Sequence, residues 1–404
     1  MKLGRNGLKT LVSSKLKSVP VRVLGAGVTI VQAVTQFLFM AIVARFYGME
    51  FLGDINYINA IQIVLFMLFS LGLRNAMVID YGKYNFKSFL YVRVVTSLAV
   101  FALAGAFISL TGGNLGIYVY LFLFKFVEML SEINWAKLQA KDDHQSIFVR
   151  QAGRWLIPFL VALLAAIYGV GFNEFIVFYF ISGVFCFLFF ELKSMVVSVV
   201  NSKGGVVFIP VVKSYYHLSL SLFFMSVQQN IIRVLVGVYF GSAILGVFSI
   251  VYQIYSMAYM VYMNSLNFVL VKRGSYSSSV LRNILTSMVY VIALVVLWNL
   301  IGEYLFILIF GEAFNISGEV VSLVIFSLSF RLAAYVLQHD LIQRGLFFDV
   351  FKYQFLLTVC SVLMSFVLIE FYGISGGYAA IPLGGVLYLV LMVRAYSIGG
   401  IKYD

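Results

Sequence analysis

QNIIRVLVGVYFGSAILG, residues 229–246, is an almost wholly apolar stretch with Arg233 near its middle and glycines at 241 and 246. Its pattern occurs twice. Residues 36–53, QFLFMAIVARFYGMEFLG, show the same order of Gln, eleven residues, Gly, four residues, Gly. An aromatic pair precedes the first of these glycines in each copy (Phe46-Tyr47 and Tyr239-Phe240), and Leu precedes the second. The copies lie 193 residues apart (229 − 36), close to half of the 404-residue chain. A doubled apolar unit with a charge inside one copy is the pattern of a transporter built from repeats.

Composition sets the class. Hydrophobic residues make up 62% of the chain and charged residues 11%, and the mean hydropathy is +1.01. Soluble domains do not reach these values. A helix needs about 20 apolar residues to cross a hydrocarbon core of about 30 Å, and such runs fill the chain almost end to end. The sequence is that of an all-α polytopic membrane protein. Cys186 and Cys360 both sit in apolar runs, which argues against a disulfide framework or a cysteine metal site. The net charge of +12 does not point to nucleic acid, because the basic residues fall in alternate loops. Residues 1–20 are basic and too weakly apolar for a cleavable signal. Leu8, Leu11, Val12, Leu16 and Val19 fall near one helical face there, with Lys9, Lys15 and Lys17 elsewhere. The segment is either an amphipathic helix on an anionic membrane surface, stopped by Pro20, or a basic tail.

Hydropathy divides the chain into about twelve spans, roughly 23–44, 55–79, 89–111, 115–139, 147–171, 174–200, 213–240, 243–271, 281–301, 318–341, 350–371 and 375–396. The charges orient them. One set of loops carries Lys2, Arg5, Lys9, Lys15, Lys17 and Arg22 in the N-terminal tail, then Lys83, Lys87 and Arg93, then Lys137, Lys141, Arg150 and Arg154, then Lys193, Lys203 and Lys213, then Lys272, Arg273 and Arg282, then Arg344 and Lys352, and finally Arg394 and Lys402. The other set carries Glu50, Asp54, Glu174, Glu303, Glu312, Glu319 and Glu370, with Arg45 as its basic member. Both termini are therefore expected in the cytoplasm, and an odd number of spans would break the alternation. The acidic loops are short, the longest at roughly 302–317. Neither face has room for a soluble domain, so the work of the protein is expected inside the membrane.

Other matches support the doubling. Residues 85–109 and 278–302 align at the same offset, Pro20 and Pro210 precede the two hairpins, and Ala166-Ile-Tyr-Gly-Val matches Glu370-Phe-Tyr-Gly-Ile. The expected organisation is a basic segment at 1–20, a first lobe at 21–205 with spans one to six, and a second lobe at 206–404 with spans seven to twelve. Six spans per unit make the repeats parallel, around a central cavity. Pro158 and Pro382 are expected to kink their spans.

Charges inside hydrocarbon cost about 2.5–3.5 kcal/mol each on insertion scales, so they face a cavity or a partner. Lys125, Glu128, Arg233 and Arg331 are such charges. Lys125 and Glu128 are three apart and share a helix face, which Glu132 continues. Gln229 lies one turn before Arg233. Thr29, Gln32 and Gln36 form a polar strip in the first span, and Asn56 and Asn59 one in the second. If these strips converge, three cations against Glu128 give a cavity charge of about +2, which suits an anion. The planar fork of arginine matches phosphate oxygens. The alternative is a satisfied Lys125–Glu128 pair, with each arginine bonded to helix-end carbonyls.

Tyr252, Tyr255, Tyr259 and Tyr262 lie on one continuous face. They are candidates for stacking on sugar rings, with helix packing as the plainer role. Arg45, Arg74 and Asp80 sit at span ends as interfacial anchors. His144, His217 and His339 are scattered, and no catalytic residue, metal-ligand spacing or phosphate loop stands out. The chain is not read as an enzyme, and no cofactor is expected.

The stretches AIVARFYGMEFLGDINYINAI (41–61), FILIFGEAFN (306–315) and FYGISGGYAAIPLGGVLYLV (371–390) resemble the polysaccharide-transporter branch of the multidrug/oligosaccharidyl-lipid/polysaccharide exporter superfamily. Within it the chain is similar to Wzx-type flippases of O-antigen or capsule repeat units. The resemblance implies two six-helix lobes of the MATE/MurJ kind that open alternately to either side. It also implies an undecaprenyl-diphosphate-linked oligosaccharide as cargo, in the lipopolysaccharide or capsule pathway, and coupling to an H+ or Na+ gradient. Lys125, Arg233 and Arg331 are the residues here that could bind the diphosphate, with Gln32, Gln36, Asn59 and Gln229 as cavity amides and Glu128 as the coupling acid. Membrane lipids, a polysaccharide polymerase and a chain-length regulator are the implied partners of a protein working as a monomer. The rival readings are a drug or metabolite exporter of the same superfamily and a membrane-embedded polymerase or ligase. The first is disfavoured by buried cations outnumbering the buried acid. The second is disfavoured by the absence of a large loop to carry catalytic groups.

Overall fold

The computed structural model describes residues 21–79, 82–270, 280–311, 316–344 and 346–401. The candidate surface helix at 1–20 and Asp80 lie outside them. Helix α1 (Val21–Phe46) turns at Gly48 into α2 (Met49–Phe69), and the short α3 (Leu73–Ile79) follows. α4 (Phe86–Leu110), α5 (Leu115–Ala140) and α6 (His144–Ile167) each begin at a side-chain cap. Ser88 N donates to Asn85, Ile117 N to Asn114 and Ser146 N to Asp143, which satisfies backbone donors that the helix itself cannot. α7 (Phe172–Phe187) continues through a π-helical turn, Leu188–Leu192, into α8 (Lys193–Val200).

The second half begins with α9 (Ile209–Leu270). α10 (Val280–Leu297) continues through a second π turn, Trp298–Gly302, into α11 (Glu303–Phe310). α12 (Gly318–Phe326), α13 (Leu328–Gln343) and α14 (Phe347–Ile401) complete it. Every regular element among the described residues is a helix.

Nine stretches of the described chain are long and apolar enough to cross a membrane. Two of them are double. Ser219–Met263 has 45 residues and Phe348–Ser397 has 50, each enough for two crossings. Gly241 (φ 79°, ψ 176°) and Gly373 (φ 60°, ψ −142°) break them. Leu115–Ala140 is also long enough, at 26 residues, although it carries Lys125, Glu128, Glu132 and Lys137. That brings the crossings to the expected twelve. The surface they present is apolar: Leu164, Phe189, Leu300, Tyr304 and Phe371 are all more than half exposed. In water such a surface would aggregate, whereas in lipid it is solvated. The chain is a multi-pass membrane protein.

Several boundaries differ from the expectation. The second span starts at Met49 rather than 55 and is interrupted at 70–72, where Leu71 (φ 54°) and Gly72 (φ 55°) turn the chain. The span from Val280 runs on to Phe310, because the π turn adds a residue without ending the helix. Pro158 and Pro382 sit inside α6 and α14, and neither interrupts its helix.

The doubled motif takes the same shape in both copies. Gly48 (φ 101°) and Gly241 (φ 79°) both occupy positive φ, which a side chain resists. Gly169 (φ 67°) and Gly373 (φ 60°) match in the same way. Leu52 and Leu245 are both fully buried. The two hairpins cross at the acidic-loop face of the molecule. Ser242 donates to Asp54 there, and α9 packs along α2 with its backbone against Gly53. Arg45 donates to Leu308 O at 2.9 Å and Tyr47 to Val170 O at 2.9 Å, so that face is held shut by contacts from both halves of the chain.

Candidate functional site

Directly beneath the crossed hairpins lies a chamber of about 170 Å³. α1 contributes Gln36 and Met40, α2 contributes Asn56, Asn59 and Gln62, α5 contributes Lys125 and Glu128, and α9 contributes Arg233 and Gln253. A wider chamber of about 400 Å³ continues from it, sharing Lys125, Glu128 and Trp155. Its walls reach Leu24, Arg74, Gln139 and His144, which belong to helix ends on the basic-loop face. The two chambers form one cleft, which among the described residues reaches the basic face and is closed at the acidic one.

The electrostatics follow from who pairs with whom. Lys125 Nζ sits 2.9 Å from Glu128 Oε2, with Glu128 buried and Lys125 partly exposed to the cleft. Arg233 bonds Asn230 on its own helix, and its guanidinium lies 4.8 Å over the ring of Tyr252. Its Nε has no hydrogen-bond partner, and among the described residues it forms no ion pair. A half-buried guanidinium in this state is a strong anion-binding group, because its desolvation is only partly offset. The lining charges are Lys125, Arg233 and Arg74 against Glu128 and Glu132, which leaves one positive charge rather than two. Glu132 lowers the count, and it also lies 3.8 Å from the buried Arg93.

Of the residues picked from sequence, Gln36, Asn59, Lys125, Glu128 and Arg233 line the narrow chamber, and Gln32 lines the wider one. Arg331 does not join them. It lies in the second half on α13, against a separate small cavity shared with Tyr252 and Ser361. Gln229 lines neither chamber, and its carbonyl accepts the Tyr252 hydroxyl. The tyrosine face is also turned inward. Tyr255 accepts from Arg331 at 3.4 Å, Tyr259 lies under the same guanidinium at 5.1 Å, and Tyr262 donates to Asn283 O at 2.9 Å. Packing takes this face because the arginines and carbonyls inside the helical bundle need partners that lipid cannot give.

Sequence reasoning missed a second set of buried charges. Arg93 and Arg154 are 1% and 2% exposed, although hydropathy had assigned them to basic loops. Arg154 donates to Phe124 O at 3.0 Å and lies 5.0 Å over that ring. Glu191, on the π turn, accepts from Trp135 at 2.7 Å, from Arg150 at 2.9 Å, and from Asn134. The extra residue of a π turn re-aims the side chains that follow it, and no hydropathy pattern reveals such a turn.

No protein-family model matches the sequence, and no curated protein resembles it significantly. Solved structures do. The chain is similar to lipid II flippase MurJ in its inward closed conformation, with a TM-score of 0.71 and 14% identity over 93% of this chain and 87% of that one. It is also similar to a MATE transporter of Vibrio cholerae (TM-score 0.60, 9% identity, 95% and 96% covered). A third likeness is to an inward-facing multidrug-resistance MATE transporter of the MOP superfamily (TM-score 0.59, 13% identity, 95% and 94% covered). At these identities the shared property is the fold, that of an all-α polytopic membrane protein.

Proposed function

We propose that this protein is a flippase for a lipid-linked oligosaccharide, carrying an undecaprenyl-diphosphate-type head group from the cytoplasmic to the outer leaflet of a bacterial inner membrane. The observation that carries the reading is Arg233: a half-buried guanidinium, without a carboxylate partner among the described residues, on the wall of a cleft that reaches the basic face. That face is the cytoplasmic one by the distribution of lysine and arginine, and it is where lipid-linked sugars would be loaded. Arg233 and Lys125 hold the diphosphate. Gln36, Asn56, Asn59 and Gln62 offer amides to the sugars, and the polyprenyl tail stays in lipid. The likeness in fold to a lipid II flippase supports a lipid-linked cargo.

Transport then requires the acidic-face hairpins to part and the basic face to close, with the cargo binding the two states differently. A cationic drug is a poorer cargo. The carboxylate of the narrow chamber, Glu128, is already bonded to Lys125, so an incoming cation would have to break that pair. The O-antigen, capsule and coupling-ion assignments remain part of this proposal.

The test is reconstitution into liposomes with a fluorescent polyprenyl-diphosphate oligosaccharide, followed by enzymatic trimming of the sugar exposed on the outer leaflet. Wild type is expected to expose the inner-leaflet pool over time, and Arg233→Ala to leave it protected at equal protein content. Protection in both would overturn the reading.

A further inference from the structure

Arg154 is a buried cation without a carboxylate. Its sequence neighbour Trp155 and its contact Phe124 both line the narrow chamber, and Arg154 lies behind them on α6, 2% exposed. Among the described residues it forms no ion pair. Nη2 donates to Phe124 O at 3.0 Å. Nε and Nη1 have no hydrogen-bond partner. Arginine cannot shed its proton to escape burial, so two charged donors stand in the interior with nothing to receive them.

Two carboxylates act on this charge through the interior, those of Glu128 and Glu191. Glu191 is fully engaged, accepting from Trp135 at 2.7 Å, from Arg150 at 2.9 Å and from Asn134. Glu128 is held by Lys125 alone among the described residues, and it borders the open space of both chambers. Its helix also aims it. A helical side chain leans over the turn before its own Cα, and Phe124 is one turn before Glu128. The carbonyl that Arg154 grips is the one the Glu128 amide meets in α5. Arg154 itself is fixed. Its guanidinium lies 5.0 Å over the Phe124 ring, which is stacked on Tyr179 at 4.6 Å. Glu128 is the partner that can move.

We infer that Arg154 is the second partner of Glu128: when the diphosphate takes Lys125, the carboxylate passes from Lys125 to Arg154. The inference rests on the cargo reading given above. Arg154 touches no cargo, and is a positioning residue that releases Lys125. The charges then balance. Each phosphate of a diphosphate diester carries one negative charge, so Lys125 and Arg233 meet the cargo while Arg154 meets Glu128. In the empty state Arg154 and Arg233 both lack a carboxylate among the described residues. The cargo therefore favours the rearranged wall over the resting one, and that difference drives the exchange.

The experiment measures binding of a fluorescent polyprenyl-diphosphate oligosaccharide to the full-length protein in nanodiscs. Wild type is compared with Arg154→Met, Glu128→Gln and the double variant. Arg154→Met is expected to weaken binding by about tenfold or more, because Glu128 then stays on Lys125. Beside Glu128→Gln the same substitution should change affinity by less than about twofold, since no carboxylate then needs a second partner. If Arg154→Met does not fold, Arg154→Lys keeps the buried charge and carries the same comparison, with a loss of about threefold or more. No loss, or an equal loss in both backgrounds, would overturn the switch while leaving the cargo reading intact. A wild-type protein that binds no such lipid would overturn the cargo reading and the switch with it.

Discussion

Gly53 and Gly246, the closing glycines of the two sequence copies, meet back to back where the hairpins cross. A Cβ on Gly246 would stand 2.1 Å from Met49 O and 3.3 Å from the nitrogen of Gly53 itself. A Cβ on Gly53 would stand 1.7 Å from Ser242 O. These obstacles are backbone atoms, which cannot rotate aside as a side chain can. The repeat thus uses its first glycine to turn the chain and its second to let one copy lie on the other.

Gly53→Ala and Gly246→Ala are therefore expected to force the acidic face apart. Overpacking in a tight contact costs about 1–3 kcal/mol, enough to invert an equilibrium between closed and open states. Disulfide trapping of a cysteine pair placed at Asp54 and Ser242, which touch in this state, should fall sharply in either variant. Unchanged trapping with unchanged transport would show that the crossing tolerates the extra atom.

Arg233 corresponds by the 193-residue offset to Met40, and both line the same chamber. The copies thus place one cation and one thioether on facing walls. Arg233→Met is expected to stop transport, and Arg233→Lys to reduce it by about tenfold or more, because a point charge does not replace the planar fork. Moving the cation across, as Arg233→Met with Met40→Arg, should restore part of the rate. Leaflet-exposure rates of the three variants at matched protein content check this, and a double variant no better than Arg233→Met would mean that the charge must sit on α9.

Much of the fold is legible in the sequence, and less of the site. The twelve spans, the doubled hairpin and the alternation of charged loops all follow from long-range hydropathy, which depends on which residues can bear lipid. Lys125, Glu128 and Arg233 stand out by the same logic, as charges where lipid forbids them. Arg331 obeys the rule too, yet its neighbours differ. Periodicity places residues on a face of a helix but does not say which other helix that face meets. The tyrosines of α9 illustrate the limit. Tyr252 and Tyr255 align by the offset with Asn59 and Gln62 on α2. Asn59 and Gln62 line the narrow chamber, while the two tyrosines turn away from it toward arginine and carbonyl groups. Arg93 and Arg154 escaped notice for a related reason: they lie toward the basic ends of their spans, where a long side chain is expected to reach solvent, and periodicity does not show that neighbouring helices cover them.

Glu191 should behave as a structural acid. It accepts from Asn134, Trp135 and Arg150 and is 2% exposed. Glu191→Ala leaves the Asn134 and Trp135 donors without this acceptor and Arg150 with only its bond to Phe190 O, and removing one partner of a buried charge network costs about 3–5 kcal/mol. A large fall in thermal stability and in membrane yield is expected. Glu191→Gln keeps acceptor capacity and should lose less. Equal Tm values for wild type and Glu191→Ala in the same detergent would sink this assignment.

The Lys125–Glu128 pair sits where the two chambers join, so its contributions to stability and to transport can be separated. Lys125→Ala leaves a buried carboxylate without its 2.9 Å partner, and Glu128→Ala leaves a lysine that can still reach the water of the wider chamber. The lysine single variant is therefore expected to lose more stability, by about 1–2 kcal/mol given the access of water to this site. Removing both as Lys125→Met with Glu128→Leu should recover stability over Lys125→Ala, because no unpaired charge remains. Transport should respond in the opposite order: the double variant lacks one of the two cations proposed to hold the cargo and should be slow despite being stable. A double variant both stable and fully active would remove Lys125 from the cargo site and leave Arg233 as the anion-binding group of the narrow chamber.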